Sequence, residues 1–268
     1  MRYYVKMLGV TSYQEALRAL GACAATDFRL REQPADACIT MSLDGATRRV
    51  AATELIALIE ASRARRGAAS STWPLSDLLR SVGLVLDELE GLDLDLVMCA
   101  DSLDVAFKTH DGNQHVLSYA GEELASLRQA AQARRKGYPL RRVLVLHGPT
   151  DSATHLRELL LAEFVVQSLP TTYARAVAEA GALPDAILAN TDGDTRDTLQ
   201  ALRILRASTR TEHVPIIVIA KNGARLETGE AFVAGADDVL QSPYQPAQLR
   251  ARLRTWLLRG GGDNRVLS

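Results

Sequence analysis

The sequence predicts an α/β protein in two parts. The second is a doubly wound parallel sheet of five strands and five helices, and the first is an α+β region of two helix–meander–helix repeats. Three observations carry this. From Arg142 onward, continuous apolar runs of strand length alternate with helical patterns. Before it, two stretches share one order of elements. The 268 residues also suffice for two domains of roughly 100–200 residues each.

The first repeat spans about 12–66 and the second about 75–135, within a domain expected over 1–137. In the first, Ile39-Thr-Met-Ser-Leu-Asp-Gly45 leads through Ala-Thr-Arg-Arg-Val50 into a helical stretch from Thr53 to Arg66. In the second, Val105-Ala-Phe-Lys-Thr-His-Asp-Gly112 leads through Asn-Gln-His-Val-Leu-Ser-Tyr119 into a matching stretch ending at Arg134-Arg135. Asp44-Gly45 and Asp111-Gly112 are hairpin signals, because an Asp-Gly pair tolerates positive φ. Leu55, Leu58 and Ile59, like Leu124 and Leu127, follow helical spacing. Upstream, Leu17-Arg-Ala-Leu-Gly21 parallels Leu79-Arg-Ser-Val-Gly83 on two further helices. Strands are expected at 28–33, 37–43, 94–99 and 103–109. Five elements in one order, twice, point to an internal duplication. A small meander hardly covers two helices, so the copies are expected to pack together. The Arg63–Arg66 and Arg134–Lys136 clusters suit helix C-termini, where cations offset the macrodipole and Gly67 and Gly137 follow as stops. Trp73-Pro74-Leu75-Ser76 reads as a linker with a new helix start.

In the second part, Arg142–Leu146 reads as a strand buried on both faces. Helix 151–163, strand 164–166, helix 171–181 and strand 186–189 follow. Helix 195–208, strand 216–219, helix 227–234, strand 239–240 and helix 246–258 complete the alternation. Pro246 sits in a first turn, where proline is tolerated. Such sheets gather their sites at the carboxyl ends of their strands. Residues 260–268, opening on three glycines, read as a flexible tail.

Composition excludes several classes. Apolar residues are 47%, charged residues 24% and aromatics 5%, which is globular usage with an aliphatic core. Residues 1–137 carry 16 basic and 18 acidic side chains, and the rest carry 15 and 14. Neither part has the charge of a generic nucleic-acid or membrane-surface binder. No apolar run approaches the ~18 residues of a membrane span, and the N-terminus shows no apolar signal core. Cys23, Cys38 and Cys99 are odd in number and scattered, which fits neither a disulfide framework nor a zinc site. The expectation is a cytoplasmic protein without cofactor or metal.

The motifs of the second part then become specific. Arg142-Val-Leu-Val-Leu146, Pro184-Asp-Ala-Ile-Leu188, Leu202-Arg203 with Leu205-Arg206, and His213-Val-Pro-Ile-Ile217 lie in order. Ala234-Gly-Ala-Asp-Asp-Val-Leu240, Ser242-Pro-Tyr244 and Leu249-Arg-Ala-Arg-Leu253 follow. Residues 141–259 in this respect resemble the receiver domain of bacterial response regulators. The resemblance implies five working side chains that this sequence replaces. His147 and Gly148 stand where two acids would hold Mg²⁺, and Asn190 stands at the phospho-accepting aspartate. Ala220 replaces the Ser or Thr after the fourth strand, and Ser242 replaces the lysine before the proline. Mg²⁺ wants carboxylate oxygens, and an asparagine amide is no nucleophile for an acyl phosphate. Asp192 and Asp194 follow Asn190, but in a polar loop where Asp194 or Thr195 serves as a helix N-cap.

The expected function is therefore that of a degenerate, phosphorylation-independent receiver: a signalling or scaffold protein, not an enzyme, working by contact with a protein partner or as a homodimer. The resemblance places the partner face on the fourth helix, fifth strand and fifth helix, including Phe232, Asp238, Tyr244, Arg250 and Arg254. On helix 246–258, Leu249, Leu253 and Leu257 point inward while Arg250, Arg252, Arg254 and Arg259 are expected to stay solvated. Tyr244 is expected in one orientation, since Ala220 offers no hydroxyl to draw it inward. The alternatives are a DNA-binding transcription regulator and an enzyme with its site between the first repeats. No helix-turn-helix signature supports the former and no catalytic pattern marks the latter.

Overall fold

Alternating burial along six short strands builds the first sheet. The computed structural model describes residues 12–22, 27–33, 36, 38–43, 46–64, 74–148, 153–191, 195–220 and 228–260. The chain divides into two compact units between Pro139 and Leu140. Asp44-Gly45, Arg65-Arg66-Gly67, Trp73, Asp192, Asp194, Cys23 and the tail from Gly261 lie outside the described residues.

The first unit runs α1 (Tyr13–Gly21), β1 (Phe28–Gln33), β2 (Cys38–Leu43), β3 (Ala46–Ala51) and α2 (Ala52–Ala64). It repeats the order with α3 (Pro74–Glu88), β4 (Leu92–Met98), β5 (Ser102–Lys108), β6 (Gln114–Ala120) and α4 (Glu122–Lys136). The sheet order is β3-β2-β1-β4-β5-β6, antiparallel throughout, so the two meanders join through their first strands. Phe28 pairs with Met98 and Leu30 with Leu96, and both pairs point to the buried side. Period-two alternation puts Phe28, Leu30, Met41, Leu96, Val105 and Phe107 under the helices, while Arg29, Arg31 and Asp104 face away. Strand β4 begins two residues before its expected start. A register shift between Leu92 and Asp95, with Asp93 at φ +53°, fits the extra length in as a bulge.

Helices α1 and α3 cross closely because two glycines stand at the crossing. A Cβ on Gly21 would lie 3.0 Å from the Ser76 Cα, and one on Gly83 would lie 2.5 Å from the Gln14 Cα. The offset that takes Gly21 to Gly83 also takes Gln14 to Ser76, so the two contacts are images of each other. It also takes Glu15 to Asp77. Arg63 of α2 pairs with Glu15, and Arg135 of α4 pairs with Asp77. Asp87 of α3 accepts from Ser12 Oγ and from the backbone N–H groups of Tyr13 and Gln14, at 2.5, 2.7 and 3.1 Å. These are donors that a helix start leaves over.

One buried polar pair has no image. Tyr13 donates its hydroxyl to Glu32 at 2.7 Å, and the Leu94 N–H also approaches that carboxylate at 3.3 Å. Burial raises the Glu32 pKa above its usual value and raises that of Tyr13.

The second unit runs β7 (Arg142–His147), α5 (Thr154–Leu160), β8 (Val165–Pro170), a 3₁₀ turn (Thr171–Tyr173), α6 (Ala174–Glu179) and β9 (Ala186–Asn190). It continues with α7 (Thr195–Ala207), β10 (Ile216–Ala220), α8 (Thr228–Ala234), β11 (Asp238–Gln241) and α9 (Pro246–Gly260). All pairings are parallel in the order β11-β10-β9-β7-β8, the doubly wound order with its switch between β7 and β9. Strands β9 and β10 are buried at every residue, as their unbroken apolar runs require. Strand β8 continues four residues past its expected end. It is an edge strand, where Pro170 costs no ladder bond, so the Gln-Ser-Leu-Pro segment does not stop it. The expected helix 171–181 is a 3₁₀ turn followed by only six α-helical residues.

The Ala-Gly-Ala-Asp segment has a physical reason here. Arg206 of α7 donates to the carbonyls of Gly235, Glu212 and Val214 at 2.6, 2.7 and 2.8 Å, and to the Asp237 carboxylate. Asp237 also accepts from the Ile216 N–H at 2.7 Å. Gly235 has φ +111°, and a Cβ there would meet the Arg206 stem at 2.2 Å. One guanidinium thus ties two connections, α7–β10 and α8–β11, to the sheet, and only glycine leaves room for it.

Candidate functional site

Parallel strands deliver their last residues to one edge of the sheet. His147 ends β7, Asn190 ends β9, Ala220 ends β10, and Ser242 follows β11. Register fixes their neighbourhood: Leu146 lies beside Ala189, Ile219 beside Asn190, and Ala220 beside Gln241. Adjacent strands are ~4.8 Å apart, so His147, Asn190, Ala220 and Ser242 share one crevice, with Gly148 at its margin.

The crevice is lined without carboxylates at these five positions. His147 donates from Nδ1 to its neighbour's carbonyl, Gly148 O, at 2.8 Å. Asn190 and Ala220 are buried, and Ser242 donates its N–H to Ala220 O at 2.8 Å. Thr191, which the motif reading passed over, is buried beside Asn190 and donates both N–H and Oγ1 to Ile219 O, at 3.0 and 3.1 Å. Among the described residues no group of three His, Cys, Asp or Glu side chains could hold a metal ion. The donors that remain are an amide, an imidazole and two hydroxyls, a poor set for a hard cation.

The predicted partner face divides. Phe232 on α8 is 47% exposed, and its neighbour Val233, missed by the sequence reading, is 86% exposed. Two adjacent apolar residues are the signal that could have shown it, because one helix face buries at most one of them. Tyr244 and Asp238 are half-buried. Asp238 is engaged internally: it accepts from Arg252 Nη1 at 2.5 Å and from Trp256 Nε1 at 3.3 Å, both on α9. Arg259 stacks over the Trp256 ring at 5.1 Å.

Arg250 does not belong to an exposed face. It is 1% exposed, the largest fully buried side chain among the described residues. Arg254 is also drawn in, its Nε 3.6 Å from the carboxylate of the buried Glu163. The cause is helical geometry. Positions 250 and 254 flank the Leu249, Leu253, Leu257 stripe by 100° and widen it toward α5, which packs against α9. The acids Glu158 and Glu163 are buried within and just beyond α5. Both stand among leucines in the sequence, and that placement is the readable sign of a cationic counterpart.

No family model matches this sequence, and no curated protein sequence does. Solved structures similar to it are receiver domains. One is the receiver domain of a sensor histidine kinase from Pseudomonas aeruginosa PAO1, described with magnesium in its active-site cleft. It is 25% identical, over 44% of this chain and 98% of that one, with a TM-score of 0.40. Another, from a signal transduction histidine kinase of Syntrophus aciditrophicus, is 16% identical over 48% and 98%, with a TM-score of 0.41. The chemotaxis protein CheY4 of Vibrio cholerae is 19% identical over 43% and 98%, at 0.39.

Proposed function

We propose that the second unit is a receiver-fold module that signals by protein contact and has lost the phosphoryl cycle. The observation that carries this reading is the crevice at the strand ends, where none of Asn190, Ala220, Ser242, His147 and Gly148 is a carboxylate and no metal-holding cluster occurs among the described residues. The unit's scaffold is intact: Arg206 holds the α7–β10 and α8–β11 connections together, and β9 and β10 are buried throughout. A fold can keep a surface after its chemistry is gone, and function has to be argued from that surface. The surface centres on the exposed Phe232 and Val233 of α8, with the half-buried Asp238 and Tyr244 following them in the chain. Arg250 and Arg254 act in the interior instead. The first unit is then a second body in the same chain, formed by duplication of a helix–meander–helix element. The image-related contacts Gly21–Ser76 and Gly83–Gln14, with the arginine–acid pairs Arg63–Glu15 and Arg135–Asp77 between corresponding helices, support that origin.

The test is chemical. Incubation with acetyl phosphate and Mg²⁺, followed by intact-mass analysis, is expected to give an unchanged mass. Asn190→Asp alone is also expected to remain unmodified, because neither acids at His147 and Gly148 nor a lysine at Ser242 accompany the new carboxylate. A gain of one phosphoryl group by the wild type, lost on Asp192→Asn, would overturn the reading by locating a relocated acceptor.

A further inference from the structure

The four helices of the first unit adjoin in the order α2-α1-α3-α4, on the side to which Tyr13 and the apolar rows point. Among the described residues of this unit, none of its helices packs on the opposite face of the six-stranded sheet, where Arg29, Arg31, Arg49, Asp104 and Val116 are exposed. Its residues fall into cross-strand rows fixed by register. One row is Thr47, Ser42, Arg29, Val97, Asp104 and Ser118, and the next is Arg49, Thr40, Arg31, Asp95, Ala106 and Val116.

Charge is divided along this face at the β1–β4 seam. The β1–β3 half presents Arg29, Arg31 and Arg49, with side chains 50%, 60% and 68% exposed, and Asp36 paired with Arg49. The β4–β6 half presents Asp93, Asp95 and Asp104 against Lys108 alone. Arg29 and Arg31 reach Asp95 across the seam. Among the described residues no ion pair reaches Asp104. Val97, Ala106 and Val116 form an apolar strip beside it, with Val116 59% exposed.

We propose that this open face is a docking surface for a second copy of the chain. A two-fold axis parallel to the strands, lying along the seam, stacks two such faces with β4 over β1, β5 over β2 and β6 over β3. Each basic half then covers the other copy's acidic half, and Arg49 comes within reach of Asp104 of the second copy. An axis across the strands would put like charge on like charge, so the charge division selects one arrangement. The interface is self-complementary, as a closed dimer needs. Six strands at ~4.8 Å spacing and seven residues at ~3.4 Å rise give about 550 Å² of projected face per copy. The pair totals roughly 1,100 Å², just above the ~1,000 Å² that a specific interface needs. This inference uses only the first unit and does not depend on the reading of the second.

Sedimentation velocity of the full chain over a concentration series is expected to show a monomer–dimer equilibrium that weakens as salt rises, since these charges lie in solvent. Arg49→Glu and Asp104→Lys, both at exposed positions, should each weaken dimerisation about tenfold, while Arg49→Glu/Asp104→Lys in one chain should restore it. Circular dichroism confirms that each variant is folded. A wild type that stays monomeric throughout, or a dimer indifferent to either single reversal, would overturn the inference.

Discussion

Glu32 shows how much one residue can fix. Its carboxyl sits in the apolar layer of the first unit, its pKa raised first by burial, with the hydrogen bonds from Tyr13 and Leu94 opposing. A raised folded-state pKa sets the sign. The stability it contributes is fully present below the usual carboxylate pKa and is lost as pH rises through the raised value. Glu32→Gln keeps an oxygen acceptor for Tyr13 without the charge. It is expected to raise the unfolding free energy at neutral pH by about 1 kcal/mol, read as a higher urea midpoint, and to flatten the stability–pH profile of the first unit. An unchanged profile would mean that the carboxyl is not the group being titrated. Arg250 teaches the opposite lesson. From sequence it is one of four arginines on an amphipathic helix, and as a solvated residue its truncation would be neutral. Buried as it is, Arg250→Met should cost about 3–5 kcal/mol in denaturant unfolding, because the groups that interact with its guanidinium stay behind in the interior. Arg259→Ala, at an exposed position, should cost less than ~0.5 kcal/mol.

Among elements, the closest approaches are the ones least tolerant of change. Gly83→Ala places a methyl 2.5 Å from the Gln14 backbone, so α1 and α3 must part. A loss of roughly 2–3 kcal/mol is expected in urea unfolding, the range of overpacked cores. Gly235→Ala meets both a positive φ and the Arg206 stem, and should destabilise the second unit at least as much. Strand and helix types were largely readable, because period two, period 3.6 and unbroken apolar runs are separate signals. β1 falls on the residues its alternation marks, and β9 and β10 each run one residue past their apolar runs. The extents that sequence reasoning missed have local causes. A bulge lengthened β4, an edge position let β8 run into a proline, and a 3₁₀ turn replaced the first part of α6.

At the scale of the whole molecule, what could be read was order, and what could not was facing. The element order and the positions His147, Gly148, Asn190, Ala220 and Ser242 lie in the sequence directly, and the register sets four of them on adjacent strand ends with Gly148 following His147. Arg250 and Arg254 were placed on the wrong side because their facing depends on packing against another element: Arg254 is drawn to Glu163, just beyond α5, and Arg250 is buried on the same side of α9. The open face of the first sheet was hidden for the same reason: its charge division exists only after β1 pairs with β4. That seam has a further consequence. Each half of the first unit contributes one central strand and one of the two crossing helices, so neither half has a finished core alone. A chain opened between residues 64 and 74 yields two pieces whose missing neighbours are each other. Expressed separately, they should remain largely unfolded, and mixing should restore the far-ultraviolet spectrum of the intact unit in a second-order reaction. Because α1 and α3 meet through image-related contacts, the piece ending at residue 64 also presents a seam that a second copy of itself partly fits. At high concentration it should therefore self-associate, and the other piece should displace that association.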